Sequence, residues 1–261
     1  MTVNTLLHEV RDGVAWLGFN RPESRNAMTW AMYDALSAHC DRLQADDTIH
    51  AVVLYGTGGE AFVAGTDIGQ FEDFRDPEDA LGYERRIDAI VGKLEALEKP
   101  TIALLEGGCV GGGAALALAC DFRYATPNLK FGVPIARTLG NTLSVTNISR
   151  LIDMLGVART KEALMLGTLF DAQQASAAGL VNAVFSPERI HDEVAAVAEQ
   201  LGQRAPLTLK ASKALVGRVL ENRRLEREAS DDWITACYMS DDFKAAVNKF
   251  LHKTPFEWTG R

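Results

Sequence analysis

Thr101-Ile-Ala-Leu-Leu-Glu-Gly-Gly-Cys-Val-Gly-Gly-Gly-Ala-Ala-Leu-Ala-Leu-Ala-Cys-Asp121 is the stretch that decides the fold. A β-branched and apolar run, Thr101 to Leu105, stands behind Pro100 and reads as a buried strand; the glycines break it, and Ala114 to Ala119 have strong helix propensity. The unit is strand, tight turn, helix. Three consecutive glycines at a helix start cost backbone entropy, so something must come close to the main chain there. Two readings fit this stretch alone. The unpaired N–H groups and positive dipole end of the first helical turn suit an oxygen carrying negative charge. Alternatively, the glycines only let the helix pack against the strand.

Working outward, Leu6–Val10 and Val14–Phe19 form a hairpin about Asp12-Gly13, followed by the polar loop Asn20 to Met28. Thr29 caps a helix that presents Met32, Leu36, Cys40 and Leu43 on one face. Ala51–Tyr55 is a second buried strand. Gly56, Gly58 and Ala61 after it match a dinucleotide-binding fingerprint, but no amphipathic helix follows and no acid-ended second strand lies about 20 residues on. A nicotinamide enzyme is therefore set aside. Asp76-Pro77 opens a helix to about Glu98 with Leu81, Ile87, Ile90, Val91, Leu94 and Leu97 as its stripe. Gln70 to Arg75 before it suits either a flap over a site or a surface loop. Downstream, strands are expected at 121–125 and 181–185, and helices at 143–155, 158–166, 172–178 (capped by Asp171), 187–204, 207–220, 225–238 and 241–252.

At 261 residues and 47% hydrophobic composition the chain can bury a full core. A net charge of −8 argues against nucleic acid or an anionic membrane surface as partner. The four cysteines are scattered without CxxC spacing, which points to reduced core thiols and no metal. No signal-peptide pattern or membrane-length apolar run stands out, so a cytoplasmic protein is expected.

With these stretches in place, the chain resembles the enoyl-CoA hydratase/isomerase (crotonase) superfamily over nearly its whole length. The resemblance rests on Asn20-Arg-Pro with Asn26-Ala-Met, Phe62-Val-Ala-Gly-Thr-Asp-Ile68, Gly111 to Asp121, Ala177-Ala-Gly-Leu-Val-Asn182 and the ending Phe250 to Arg261, in that order and spacing. It implies an α/β fold, a spiral of repeated ββα units (residues 1–200) with a helical C-terminal trimerisation region (201–261), working as a homotrimer or a dimer of trimers. Trp233, Tyr238, Phe243, Phe250 and Trp258 concentrate aromatics in that region and suit packing against another subunit.

The resemblance also implies an acyl-CoA substrate and no other cofactor, the thioester oxygen lying between the main-chain N–H groups of Thr66 and Gly112. It thereby resolves the glycine triplet in favour of a bound oxyanion. Chemistry beside a thioester builds negative charge on the carbonyl oxygen, and two fixed donors stabilise it without reorganisation. Because the donors are main-chain groups, Thr66 need not be a threonine. Arg25, Ala64 and Ile68 stand at CoA-contacting positions of the family, as do Phe250 and Lys253, which act there from a neighbouring subunit.

One departure bears on the reaction. The two glutamates of the family's hydratases fall at Ala115 and, after Phe131-Gly-Val-Pro134, at Ile135 or Ala136, and aliphatic side chains cannot exchange protons. Arg137, Thr138 and Asn141 are the nearest polar residues, and Asp67 lies beside an oxyanion donor. Arg137 could hold a substrate carboxylate or form a surface ion pair; Asp67 could titrate or bond its own loop. Of the five histidines only His252, in the matched ending, falls in a matched stretch, and none is given a catalytic role. Two functions remain open: an acyl-CoA enzyme with another proton source, or an acyl-CoA binding protein that has lost the chemistry. Poor hydration of crotonyl-CoA follows from either.

Overall fold

Long apolar strands alternate with very short ones, and the two kinds build separate sheets. In this computed structural model, which describes residues 5–260, the chain runs β1 (Leu6–Arg11), β2 (Val14–Phe19), α1 (Trp30–Ala45), β3 (Ala51–Gly56), β4 (Ala61–Val63), α2 (Pro77–Glu95), β5 (Thr101–Leu105), β6 (Gly108–Val110) and α3 (Gly112–Ala119). It continues through β7 (Phe122–Ala125), β8 (Lys130–Gly132), α4 (Ile135–Thr138), α5 (Val145–Lys161), β9 (Phe170–Asp171), α6 (Ala172–Ala177) and β10 (Ala183–Val184). Four helices finish the chain: α7 (Ile190–Gly202), α8 (Pro206–Glu221), α9 (Asp231–Tyr238) and α10 (Asp241–His252).

The larger sheet has the order β1-β2-β3-β5-β7-β10 and the smaller one β4-β6-β8-β9. Apart from the β1–β2 hairpin and the β8–β9 pair, all neighbours are parallel. Each repeat therefore adds a long strand to one sheet, a short strand to the other, then a helix, advancing one strand position per turn. This is the expected ββα spiral.

The period of two along the long strands explains their unbroken apolar runs. Ala15, Leu17, Val52, Leu54, Ala103 and Leu105 face the main core, while Trp16, Val53, Ile102 and Leu104 lie under Ile190, Val194 and Ala198 of α7. Helix α3 is buried from Gly113 to Ala119, so its Ala/Leu composition has no polar face. The expected caps are present: the Thr29 side chain accepts from Met32 N, and Asp76 and Asp171 form capping boxes with Asp79 and Gln174. Cys40, Cys109 and Cys120 are buried free thiols and Cys237 is half-buried.

The expectations fail in identifiable places. The smaller sheet is invisible to periodicity, because its strands are two or three residues long. The two helices expected at 143–155 and 158–166 are present within α5, parted by a kink at Gly156 (φ 72°), but the second passes from residue 162 into a wider turn, Glu162–Leu166. Residues 181–185 keep only two strand residues, and 225–238 becomes a short 3-10 turn followed by α9. The boundary at 200/201 falls inside α7, and Ile234, Tyr238, Phe243 and Val247 belong to the same core as the spiral. Tyr238 and Phe243 are thus buried within their own chain, whereas Trp233, Phe250 and Trp258 remain exposed. Phe71, in the segment left open between flap and loop, is buried against Tyr83 and Phe243 with ring centroids 5.0 and 5.8 Å away.

The glycine triplet is explained residue by residue. Gly111 has φ 56°, a side chain on Gly112 would meet the Tyr33 hydroxyl at 2.5 Å, and one on Gly113 would meet the Val63 carbonyl at 2.1 Å. Packing of helix on strand therefore accounts for Gly113. Gly113→Ala should lower stability by about 1–3 kcal/mol through overpacking, outweighing a helix-propensity gain of about 1 kcal/mol. Urea unfolding checks it, and a stabilised variant would contradict the packing assignment.

Candidate active site

The loop that follows β4 is stitched to the first polar loop of the chain. Asn26 is fully buried: its Oδ1 accepts from Arg21 N at 2.9 Å and its Nδ2 donates to the carbonyls of Thr57 (3.0 Å) and Ala61 (2.7 Å). Ala64 N donates to Arg25 O, Met28 N to Gly65 O and Asp67 N to Met28 O, at 2.9–3.1 Å. These bonds fix residues 64–67 from both sides. Asp67 is committed too, accepting from Arg21 Nη1 at 3.0 Å and from Gly69 N at 3.2 Å, so it bonds its own loop.

Across from this loop, Gly111 N donates to Gly132 O at 3.0 Å and sets the start of α3. A side chain built on Gly112 would sit 3.6 Å from Thr66 N, so the two residues are neighbours. Among the described residues no main-chain acceptor takes the N–H of Thr66 or of Gly112. Two unspent main-chain donors at one place are what an oxygen with developing negative charge requires.

The Thr66 side chain is not free, contrary to the sequence expectation. Its Oγ1 lies 2.9 Å from the Tyr33 hydroxyl and 2.8 Å from the Tyr83 hydroxyl. Burial pushes the Tyr33 hydroxyl up to about 12 and that of Tyr83 well above its ordinary value, so both stay protonated. The hydroxyl chain ties the donor loop to α1 and α2.

Both loops open onto a cavity of about 570 Å³, within the size range of small-molecule sites. Of the residues expected at the site, Arg25, Ala64, Thr66, Asp67, Ile68, Gly112, Ala115, Ile135, Asn141 and Phe250 all line it. Phe250, expected to serve a neighbouring subunit, reaches the cavity of its own chain. Lys253 does not; its Nζ turns back to the Phe250 carbonyl at 3.2 Å. Ala136 and Arg137 are corrections. Ile135–Thr138 is a helical turn, so Ile135, Thr138 and Leu139 share the cavity side while the two residues between them point away. Arg137 is exposed and lies against Gly167, where an added Cβ would be 3.5 Å from its Nε.

Glu84 was missed. It lines the cavity while only 3% exposed, accepting from the Tyr238 hydroxyl at 2.6 Å and from Ser144 N at 3.1 Å. Asn141 Nδ2 donates to the same Tyr238 oxygen at 3.0 Å. Burial raises the Glu84 carboxyl to about 7, with the Asp88 charge adding to the rise and the hydrogen bonds from Tyr238 and Ser144 opposing it. Asp88, one turn on, is raised as well, chiefly by burial; its Oδ1 accepts from Ser144 Oγ at 2.7 Å and Asn147 Nδ2 at 3.1 Å. The available signal was two carboxylates at i and i+4 on the apolar stripe of α2, between Tyr83, Ile87 and Val91.

Comparison with known proteins identifies the family to which this fold belongs. The family model described as enoyl-CoA hydratase/isomerase matches residues 9–261. The short-chain-enoyl-CoA hydratase of Clostridium acetobutylicum is 30% identical over 98% of both chains. The crystal structure of an enoyl-CoA hydratase/carnithine racemase from Magnetospirillum magneticum superposes with a TM-score of 0.81 at 30% identity, covering 100% of this chain and 97% of that one. A methylmalonyl-CoA decarboxylase in complex with 2-nitronate-propionyl-CoA gives 0.89 at 25% identity, covering 99% of each chain. The chain belongs to the enoyl-CoA hydratase/isomerase family. Among the described residues no helix is long and apolar enough to cross a membrane, and no group of three or more His, Cys, Asp or Glu side chains could hold a metal ion.

Two measurements follow. Thr66→Val leaves the Tyr33 and Tyr83 hydroxyls without their shared partner and should cost about 1–3 kcal/mol of stability; an unchanged urea midpoint would show that the hydroxyl chain does not hold the loop. Because folding raises the Glu84 pKa to about 7, its protonated form favours the folded state, and that contribution is lost as pH rises through about 7. The stability of the parent relative to Glu84→Gln should therefore fall between roughly pH 5 and pH 8. A difference that stays constant over that range contradicts the raised value.

Proposed function

We propose that this chain is an acyl-CoA enzyme that carries its substrate through a thioester enolate held by the main-chain N–H groups of Thr66 and Gly112. The observation that carries the reading is the meeting of two uncommitted donors at the wall of a mostly apolar cavity. Arg25, Ala64 and Ile68 line the cavity beside the donors, and in this reading they meet the CoA portion, Arg25 supplying positive charge for its phosphates. The family's relatives bear names of hydration and of decarboxylation, and both chemistries pass charge onto the thioester oxygen.

Efficient hydration is not the favoured reaction. Ala115 and Ile135, where the hydratase glutamates would stand, face the cavity, so no carboxylate enters from either position. The uncommitted donors favour an enzyme over a passive acyl-CoA binder, for which an aligned pair has no use.

The working assembly in this reading is a trimer or dimer of trimers. Helix α8 has no buried residue in the isolated chain and exposes Leu215, Val216 and Val219 in one row, with Leu207 and Trp233 also exposed, an apolar surface that suits a subunit contact.

Crotonyl-CoA should bind, measured by calorimetry, with hydration far below the ordinary enzyme turnover of about 10 s⁻¹. Since a substituent at 112 meets the Tyr33 hydroxyl, the donor is best removed by Gly112→Pro in a Tyr33→Phe background and compared with Tyr33→Phe alone. The double variant should bind crotonyl-CoA more weakly. Equal binding by both, or no binding by the parent, would contradict the oxyanion assignment, and parent turnover at the ordinary rate would contradict the poor hydratase.

A further inference from the structure

Three carboxylates line the cavity, and only Glu84 is both enclosed and held by neutral donors, without an ion-pair partner among the described residues. Glu23 is exposed, and Asp67 is spent on Arg21 and the Gly69 N–H. Glu84 is enclosed, faces the cavity, and is held by donors from two other elements, Tyr238 of α9 and Ser144 at the cap of α5. It follows Tyr83, whose hydroxyl holds Thr66, so one helix carries both the brace of the oxyanion loop and this carboxyl group. The phenols of Tyr83 and Tyr238 are driven well above their ordinary range by burial and do not compete as bases near neutrality.

We propose that Glu84 is the acid–base group of this cavity, moving a proton on and off the carbon beside the thioester carbonyl, with Tyr238 as its positioning residue. The inference rests on an acyl-CoA thioester being the occupant. In the forward step the carboxylate takes the proton as the C–H bond breaks. An O–H bond forms on Glu84, and the C–H electron pair moves through the carbonyl carbon to leave an enolate oxygen on the N–H groups of Thr66 and Gly112. In the return step Glu84 gives the same proton back to the carbon from which it came or, for an unsaturated acyl chain, to the carbon two positions further along. The latter shifts the double bond. No water and no second carboxyl are needed, which suits a site with aliphatic residues at 115 and 135.

The charge state of Glu84 answers to its surroundings on every side. On its own helix stand Tyr83 and Asp88; α9 contributes Tyr238; α1 contributes Tyr33. Arg150 of α5 and Arg227, before α9, act on Asp88 and through it on Glu84. The Asp88 charge and burial keep the proton on Glu84, while Tyr238 and Ser144 release it, poising the group near 7. Loss of the Tyr238 hydroxyl removes a donor to the ionised form and should carry the titration upward.

The test is deuterium uptake from D₂O at the α-carbon of butyryl-CoA, followed by NMR across pH, with butyryl-CoA binding measured separately by calorimetry. The parent should exchange, faster as pH rises through about 7. Glu84→Gln should bind butyryl-CoA within a few-fold of the parent and exchange about 10²- to 10⁴-fold more slowly, with partial recovery in Glu84→Asp. Tyr238→Phe should bind and exchange with its pH limb displaced upward. Exchange by Glu84→Gln within about threefold of the parent, or none by a parent that binds, overturns the role of Glu84. Failure of the parent to bind butyryl-CoA overturns the acyl-CoA reading itself. If Glu84→Gln does not fold, the Tyr238→Phe profile decides, and an undisplaced limb counts against the proposal.

Discussion

The close approach of two main-chain segments, 64–67 and 111–113, is the constraint on which the rest depends. It exists because β4 and β6 are parallel neighbours in the smaller sheet, so the loop leaving one and the helix following the other emerge side by side. Parallel neighbours need a crossover between them, and the excursion through α2 and β5 supplies it. Side chains cannot occupy the seam, since a Cβ at 112 or 113 would overlap Tyr33 or Val63. The donors are thus fixed by sheet register and by the absence of side chains, and the fold holds them in place before any ligand arrives.

Polar groups reinforce the seam from outside. Asn26 joins the first loop to the turn between β3 and β4, and the Tyr33–Thr66–Tyr83 chain joins the donor loop to two helices. Asn26, Tyr33 and Tyr83 are buried, Thr66 is half-buried, and each is satisfied, which gives a unique arrangement, since alternatives would strand a donor or acceptor. Further along α2, Glu84 and Asp88 share Ser144, which caps α5 and bonds both carboxylates, one through its N–H and one through its hydroxyl. The cavity therefore has main-chain donors on one wall and Glu84 of α2 on another.

What could be read from residues alone follows from the length of each signal. The long strands and α1, α2 and α10 declare themselves through apolar periodicity and caps, and the strand and helix of 101–121 are legible likewise, although the expected tight turn between them contains the three-residue strand β6. The smaller sheet leaves no pattern in three residues, although it alone aligns the donors. Ala136 and Arg137 were misplaced because a linear segment does not show that 135–138 coils into a turn facing two ways. Thr66 was undervalued because its partners Tyr33 and Tyr83 lie 33 and 17 residues away. Glu84 was overlooked among apolar neighbours, and its partner Tyr238 is 154 residues distant. Those are tertiary facts, and only the i, i+4 carboxylates on a buried stripe hinted at them.

The most direct measurement of the central claim is the stretching frequency of a ¹³C-labelled thioester carbonyl in bound crotonyl-CoA, taken by isotope-edited infrared difference spectroscopy. Two main-chain donors on the oxygen should polarise the bond and lower its frequency below the value in water, and removing the Gly112 donor in the Tyr33→Phe background should return it toward that value. A bound carbonyl at the solution frequency, or one whose shift survives loss of the Gly112 N–H, would contradict the account.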